Sequence, residues 1–423
     1  MKYALVTFGC RVNHADSLRI EEDLRARGGV EARSSDADVV IVNTCSVTAT
    51  ADQGARQAIR RIARENPAAR IIATGCYATR CEEEVGALPV VQVVRNDRKL
   101  EFFRTSDLGP RMSDDGQGPC GAPIEPGIAG RTAFTIRAQT GCEEQCAYCI
   151  IPKTRGASRS VSIESLVADV ERVAGAGFKE VVVTGVHLGS FGRDLAPARS
   201  LLDLLHALDG VRQDVTYRVS SLEPMDCTPE LVDLVASSPR FMPHFHLPLQ
   251  HASDRMLKAM QRPYTLDYYG RLDDSIVTRL PHASIGSDMI VGFPGETDDD
   301  FRANLDYLPS SPLTHLHVFP YSDRPGTVAS AMRDKVHGSI VRDRAMQLRD
   351  IGVGLSRRFR DSQAGTVRPG LTLEDGTLVV TDNYLKVRIA PGHGRNERVS
   401  VRLSIEESEM RGEIVAGAAT RRV

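Results

Sequence analysis

Three cysteines stand close together in GCEEQCAYCI, at Cys142, Cys146 and Cys149. Thiolates at that spacing can hold three irons of a cubane cluster and leave the fourth iron without a protein ligand. An open iron of this kind can chelate a small molecule and pass it one electron. Structural clusters and structural zinc normally use four protein ligands. The competing assignment is a zinc site completed by a distant residue such as His187 or Cys227. C-x3-C-x2-C is less usual for zinc than paired C-x2-C, which favours the cluster.

Three further cysteines share another context. YALVTFGC ends at Cys10, DVVIVNTC at Cys45 and RIIATGC at Cys76. Each is a β-branched run that stops at a small or polar residue and then Cys. Each is followed by a stretch that reads as helix, over 15–27, 50–65 and 79–87. Such alternation predicts a parallel sheet with crossover helices. Ligands of these sheets sit beyond the carboxyl ends of the strands, so three strands would deliver three thiols to one edge. Cys81, Cys120 and Cys227 share nothing with either group and read as small buried hydrophobes. Nine cysteines in all, an odd count, argue against a disulfide framework and for metal binding or catalysis.

The elements around these residues divide the chain. Its 423 residues carry a formal charge of −2, with 41% apolar and 26% charged. That mixture excludes a disordered or fibrous chain. No apolar run could span a bilayer and the N-terminus lacks the pattern of a signal peptide, so the cytoplasm is the expected compartment and no membrane partner is expected. Residues 1–104 form the first α/β unit. Residues 105–130 are rich in Gly and Pro and read as a linker that contains Cys120. From 131 to 362, strands are expected at 134–140, 180–185, 216–222, 244–249, 284–293 and 315–321. Helices are expected at 162–176, 199–209, 228–238, 253–261, 297–308 and 340–362. Six strand–helix units predict a partial or full β/α barrel, whose active groups lie on loops after the strands. The cysteine loop follows the first of those strands. In 363–423, TLVVTDNYLKVRIA and RVSVRLSIEE alternate apolar and polar residues around PGHGRNE, as in a small antiparallel β module. The expected fold class is α/β: a Rossmann-like parallel-sheet unit, a central partial (β/α)6 barrel and a C-terminal β module.

GCEEQCAYCI resembles the cluster loop of radical S-adenosylmethionine (SAM) enzymes, with Tyr148 in the aromatic place. The resemblance implies a 4Fe-4S cluster whose open iron binds SAM, and reductive cleavage of SAM to methionine and a 5′-deoxyadenosyl radical. The whole layout resembles the methylthiotransferase family over nearly the full chain. FGCRVNHADS, IVNTC and ATGCYA are similar to that family's first domain. CIIPKTRG, TGVHLGSFGRDL, RVSSLEPMD, HLPLQHASDRMLKAMQRPYT, DMIVGFPGET and VFPYSDRPGT are similar to its barrel, and the last module resembles a TRAM domain. GCRVNHADS, GVHLGSFGRDL, SSLEPMD and TDNYLKV are most similar to the branch that modifies N6-threonylcarbamoyladenosine in tRNA. The resemblance implies a second 4Fe-4S cluster on Cys10, Cys45 and Cys76. It implies insertion of sulfur and a methyl group at carbon 2 of that adenine, at tRNA position 37. No catalytic side chain beyond the cluster ligands is implied. The partners implied are tRNA, a reducing electron-donor protein and a sulfur-donor system. Two other branches act on isopentenyladenosine in tRNA and on a ribosomal-protein aspartate. A non-catalytic iron–sulfur or zinc protein that binds RNA would explain the cysteines, but it leaves the SAM-like loop and the barrel without purpose.

Residues expected to meet SAM carry ordinary structural alternatives. Gly185 ends the second barrel strand, where the superfamily has a glycine-containing motif that meets the SAM amino group; it is also a plausible turn glycine. Ser220 and Glu223 end the third strand and face SAM or cap the next helix. Gly292 to Glu296 resemble a ribose- and adenine-facing loop or ordinary turn chemistry. Gln250 and His251 fall at the pocket rim, with His251 read as structural. Arg56, Arg60, Arg61 and Arg64 share one helix face, able to meet tRNA phosphates or simply to be solvated. Residues 364–423 hold nine Lys+Arg against eight Asp+Glu, which is not a strongly basic RNA-binding module.

Overall fold

The computed structural model describes residues 1–99, 125–127 and 131–415. Most of the expected linker, with Cys120, lies outside the described residues.

The first unit runs β1 (Lys2–Thr7), α1 (Arg11–Ala26), β2 (Val30–Glu31), β3 (Val39–Thr44), α2 (Ala49–Glu65), β4 (Arg70–Gly75), α3 (Cys76–Arg80), α4 (Glu82–Gly86) and β5 (Gln92–Val94). Its five strands are parallel, in the order β2-β1-β3-β4-β5. The central strand β3 is buried at every position, which is why VVIVNT is a continuous apolar run rather than an alternating one. The Thr48 side chain accepts from Ala51 N at 3.2 Å and starts α2. Ala55, Ile59 and Ile62 then bury one face of that helix. The single helix expected over 79–87 is instead two short ones that meet at Cys81, and the first begins on Cys76 itself.

The second unit runs β6 (Phe134–Thr140), α5 (Ile151–Arg155), β7 (Arg159–Ser160), α6 (Ile163–Gly175), β8 (Glu180–Gly185), α7 (Leu201–Asp209), β9 (Thr216–Val219), α8 (Pro229–Ser237), β10 (His244–His246), α9 (Asp254–Ala259), α10 (Leu266–Arg279), β11 (Ser284–Val291), α11 (Asp298–Tyr307), β12 (His315–Pro320), α12 (Val328–Ala331) and α13 (Gly338–Gln363). Strands β6, β8 and β9 are parallel neighbours, as are β10, β11 and β12. A parallel bridge between Tyr217 and Phe241 joins the two sets. Six parallel strands thus curve into an open barrel wall. Val181, Val183, Tyr217, Phe245, Ile285 and Met289 point from the strands into the main core with the surrounding helices. Helix α10 was not anticipated from the sequence. It buries only Tyr269, Asp273 and Ile276, too thin a stripe to stand out.

The last unit is a closed barrel of β13 (Val367–Leu373), β14 (Leu378–Thr381), β15 (Lys386–Arg388), β16 (Arg398–Glu406) and β17 (Glu409–Ile414). Its pairings are antiparallel except for one parallel contact, Arg388 with Arg411, which closes the ring. Buried Arg218 fastens it to the larger barrel. That side chain pairs with Glu180 at 3.0 Å and donates to the carbonyls of Asp382 and Thr381 at 2.9 and 3.2 Å. No helix among the described residues is long and apolar enough to cross a membrane.

Candidate functional site

Sheet order brings the strand-end thiols together. β1, β3 and β4 are adjacent, and the register pairs Thr7 with Asn43 and Thr44 with Gly75. Cys45 and Cys76 therefore leave their strands in step, and Cys10 leaves the neighbouring strand three residues past Thr7. Two glycines permit the approach. Gly9 has φ +94, and a Cβ there would lie 2.6 Å from Cys45 Sγ; Gly75 has φ +100, and a Cβ would lie 2.2 Å from the Thr44 carbonyl oxygen. Cys10 is exposed, whereas Cys45 and Cys76 are buried. Burial pushes the Cys45 thiol up to about 11; the Val47 backbone N–H opposes this, and charge on Cys10 and Cys76 adds to it. Val47 N donates to Cys45 Sγ at 3.5 Å, and Asn96 Nδ2 to Cys76 Sγ at 3.6 Å.

The second trio sits in the loop between β6 and α5. Gly141 opens that loop at φ +78, where a Cβ would lie 1.9 Å from the Ala157 carbonyl oxygen. Cys142 N donates to the Gly156 carbonyl at 3.0 Å and Ala147 N to the Met260 carbonyl at 3.0 Å. Two basic side chains meet these thiols. Arg262 Nη1 donates to Cys146 Sγ at 3.1 Å and also pairs with Glu223. His187 hydrogen-bonds Asp226 at 2.8 Å. Burial alone would lower its pKa, but hydrogen bonds to Asp226 and Cys142 outweigh it and raise it to about 10. Burial pushes Cys149 up to about 12, against the Ile151 N–H. Burial also raises Cys146, against the Arg262 charge. Binding iron to any of these raised thiols must release a proton.

A cavity of about 1330 Å³ opens between the three units. Cys10 and Cys45 lie on its wall with Gly185 and Ser220. Ser220 Oγ is buried without a hydrogen-bond partner, as expected of a group that awaits a ligand. The barrel-loop cysteines are not on that wall; Ile151, two residues past Cys149, is. Glu223 is committed to Arg262. Glu296 turns inward, onto the Gly292 N–H and toward Arg344 at 3.4 Å and His251 at 3.6 Å. Neither Gly292 nor Glu296 lines the cavity. His251 is buried and held by Ser253 and Asn304.

The donor sets suit cubanes better than single ions. Each trio offers three thiols, and a cubane spreads its ligands over separate corners. Among the described residues the group of three donors at single-ion spacing is His246, Asp288 and His317, with no cysteine in it. That group was missed at the sequence level, although HFH, SIGSD and HLH carry its two-residue period.

The two units rest on a buried ion network. Asp16 on α1 pairs with Lys99 at 2.9 Å, with Arg155 at 3.1 Å and with Arg137. Arg155 also donates to Asn13 at 2.5 Å and reaches Cys76, whose charge holds the guanidinium's pKa up against burial. On the opposite face of the first unit, Arg56 is tied to Tyr77 and Glu84.

Comparison with known proteins agrees with this geometry. The pattern of an uncharacterized protein family, UPF0004, matches residues 2–95, and that of the radical SAM superfamily matches residues 136–308. The chain is 35% identical over 399 residues to the threonylcarbamoyladenosine tRNA methylthiotransferase MtaB of Aquifex aeolicus, covering 92% of this chain and 96% of that one. It is 33% identical to the MtaB of Bacillus subtilis, covering 91% and 89%. It is 31% identical to the tRNA-2-methylthio-N(6)-dimethylallyladenosine synthase of Pelotomaculum thermopropionicum, covering 86% and 85%. In fold it is similar to the radical SAM methyltransferase TsrM from Kitasatospora setae, with a TM-score of 0.53 at 17% identity over 78% of this chain and 77% of that one.

Proposed function

Because the chain belongs to the family of radical SAM tRNA methylthiotransferases, we propose that it converts N6-threonylcarbamoyladenosine in tRNA to its 2-methylthio derivative. It is an enzyme, a transferase, and it uses SAM and two 4Fe-4S clusters. The observation that carries the reading is the joint cavity, where two strand-end thiols share a wall with Gly185 and Ser220. When bound, these groups supply a carbon radical from SAM and a sulfur atom for transfer, chemistry that ionic side chains cannot perform on an aromatic C–H bond.

The chain's own residues do the rest. Cys142, Cys146 and Cys149 hold the SAM-binding cluster; Cys10, Cys45 and Cys76 hold the other. Arg262 and His187 place positive charge beside the first set of thiolates and favour their ionised form. Gly185 leaves room at the end of β8, and Ser220 offers an uncommitted hydroxyl. The buried and half-buried apolar parts of the wall, among them Val12, Val186 and Leu316, keep water from a reactive centre. Gly292 and Glu296 shape the loop after β11 from behind. The exposed Arg60, Arg61 and Arg64 on α2 meet RNA phosphates. A reducing protein and a sulfur-donor system complete the turnover, and the substrate places the enzyme in the cytoplasm. The 33–35% identity to relatives named for threonylcarbamoyladenosine favours that nucleoside over the dimethylallyl one.

The test is mass analysis of tRNA nucleosides from a strain that lacks the chain. Loss of the 2-methylthio-threonylcarbamoyl nucleoside, restored by the gene, is expected. Its persistence would contradict the assignment.

A further inference from the structure

Strands β10, β11 and β12 present an unusual inner face. Parallel pairing sets His246 beside Gly286, Gly286 beside His315, and Asp288 beside His317, so these residues share one side of the sheet. Phe245, Ile285 and Met289 point the other way, into the core. Four histidines, at 244, 246, 315 and 317, therefore line the cavity together. Gly286 leaves them space, since a Cβ there would lie 2.2 Å from His315 Nε2.

The face has a distinct charge pattern. The cavity wall carries four arginines and five histidines but a single carboxylate, Asp288. That carboxylate is already engaged by His246 at 2.9 Å and by His317 at 3.2 Å. His317 is exposed, and its Nε2 has no partner among the described residues. His244 is buried, and its Nδ1 has none either. Arg11 joins this wall from the first unit, next to Cys10. It donates to Tyr384 at 3.0 Å, and the Tyr384 ring lies 4.4 Å from that of His244. Arg11 has no acidic partner among the described residues. All three units of the chain thus contribute to one wall beside a strand-end thiol; its positive charge comes from the arginines, since burial lowers the pKa of His244 well below its usual value and that of His315 to about 4.

We propose that this face is the subsite for the carboxylate on the N6 arm of the target adenosine, received by Arg11 and by His317 with Asp288 behind it. The proposal rests on the reading that the substrate is a threonylcarbamoyl nucleoside. A guanidinium and an N–H donor together make a strong, directional carboxylate site. Asp288 Oδ1 meets His317 Nδ1 at 3.2 Å, which leaves Nε2 as the free edge of that ring. A site built for such a group rejects an analogue that lacks it. An apolar N6 arm would leave these donors unpaired.

The test uses anticodon stem-loop RNAs that differ only in the N6 arm, one with the free threonyl carboxylate and one with its methyl ester. Both RNAs have the same phosphates, so backbone binding cancels. Affinity is read by fluorescence anisotropy and turnover by nucleoside mass analysis, with fully reconstituted enzyme. The wild type is expected to bind the acid about tenfold or more tightly than the ester. In Arg11→Gln and His317→Gln that ratio falls toward one, while Arg11→Lys keeps part of it. The exposed position of His317 makes its replacement compatible with folding. Equal affinities in the wild type, or an unchanged ratio in both glutamine variants, would overturn the subsite. If either RNA still gains the methylthio group, the enzymatic reading survives that result. If neither does, the functional reading fails, and the acid-to-ester ratio alone decides the subsite.

Discussion

The barrel-loop trio is written into one short loop, whereas the strand-end trio exists only once β1, β3 and β4 have paired. Their surroundings differ as well. Cys142 and Cys146 sit against His187 and Arg262, and none of that trio lies on the wall of the large cavity. Cys45 receives a backbone N–H, Cys76 an amide and the Arg155 guanidinium, and Cys10 is exposed at the cavity wall. Both sets meet a guanidinium, but the barrel-loop set is set back from the cavity, whereas Cys10 and Cys45 of the other lie on its wall. On this difference we propose a division of labour: Cys142, Cys146 and Cys149 would hold the cluster that supplies the radical, and Cys10, Cys45 and Cys76 the one that supplies sulfur.

The largest effect should come from the set-back trio. Cys142→Ala is expected to reduce SAM cleavage to background and to lose product with it, as measured by release of 5′-deoxyadenosine. Retained cleavage would break the contrast at its root.

The joint between the two regions comes next. Asp16 is buried among three cationic partners, so Asp16→Asn leaves uncompensated charge and should cost roughly 3–5 kcal/mol in denaturant unfolding. Burial raises the pKa of Asp16, but Lys99, Arg137 and Arg155 outweigh it and hold the carboxyl below its usual range. Its contribution is therefore present above the unfolded carboxyl pKa of about 4 and is lost as pH falls below that value. Stability of Asp16→Asn should fall less steeply in acid than that of the wild type. Parallel acid profiles would show that the ion network does not couple the units.

A smaller effect sharpens the electrostatic side of the comparison. Arg262→Gln removes positive charge beside Cys146 and should move the potential of the barrel cluster negative by on the order of tens of millivolts. The other cluster should not move in the same redox titration. The smallest effect concerns RNA. Arg60→Ala should weaken tRNA binding a few-fold and reduce the salt slope by about 1, because Arg60 is exposed and, unlike Arg56, has no Glu84 to neutralise it.

The two trios also differ in how legible they were. The C-x3-C-x2-C loop announces itself, because ligands of one cluster are close in sequence. The strand-end trio was readable through repetition, since each thiol ends an apolar strand of the same parallel sheet. The residues expected to face SAM were harder. Ser220 lies in the cavity with a free hydroxyl, but Glu296 turns to Gly292, His251 and Arg344. A loop motif does not say which way its carboxylate points. The histidine face was overlooked because its members are spread over three strands, and a lone His is usually structural. Only the register between β10, β11 and β12 makes them neighbours. Helix α10 was lost to its narrow buried stripe, and the parallel closure of the last module depends on one residue pair.

The division of labour is tested most directly with Cys10→Ala, reconstituted, reduced and given threonylcarbamoylated RNA in one vessel. The measurement is 5′-deoxyadenosine and methylthiolated nucleoside from the same sample. Release of 5′-deoxyadenosine without methylthiolated nucleoside is the result expected. Loss of both to the same degree, or survival of both, would contradict it.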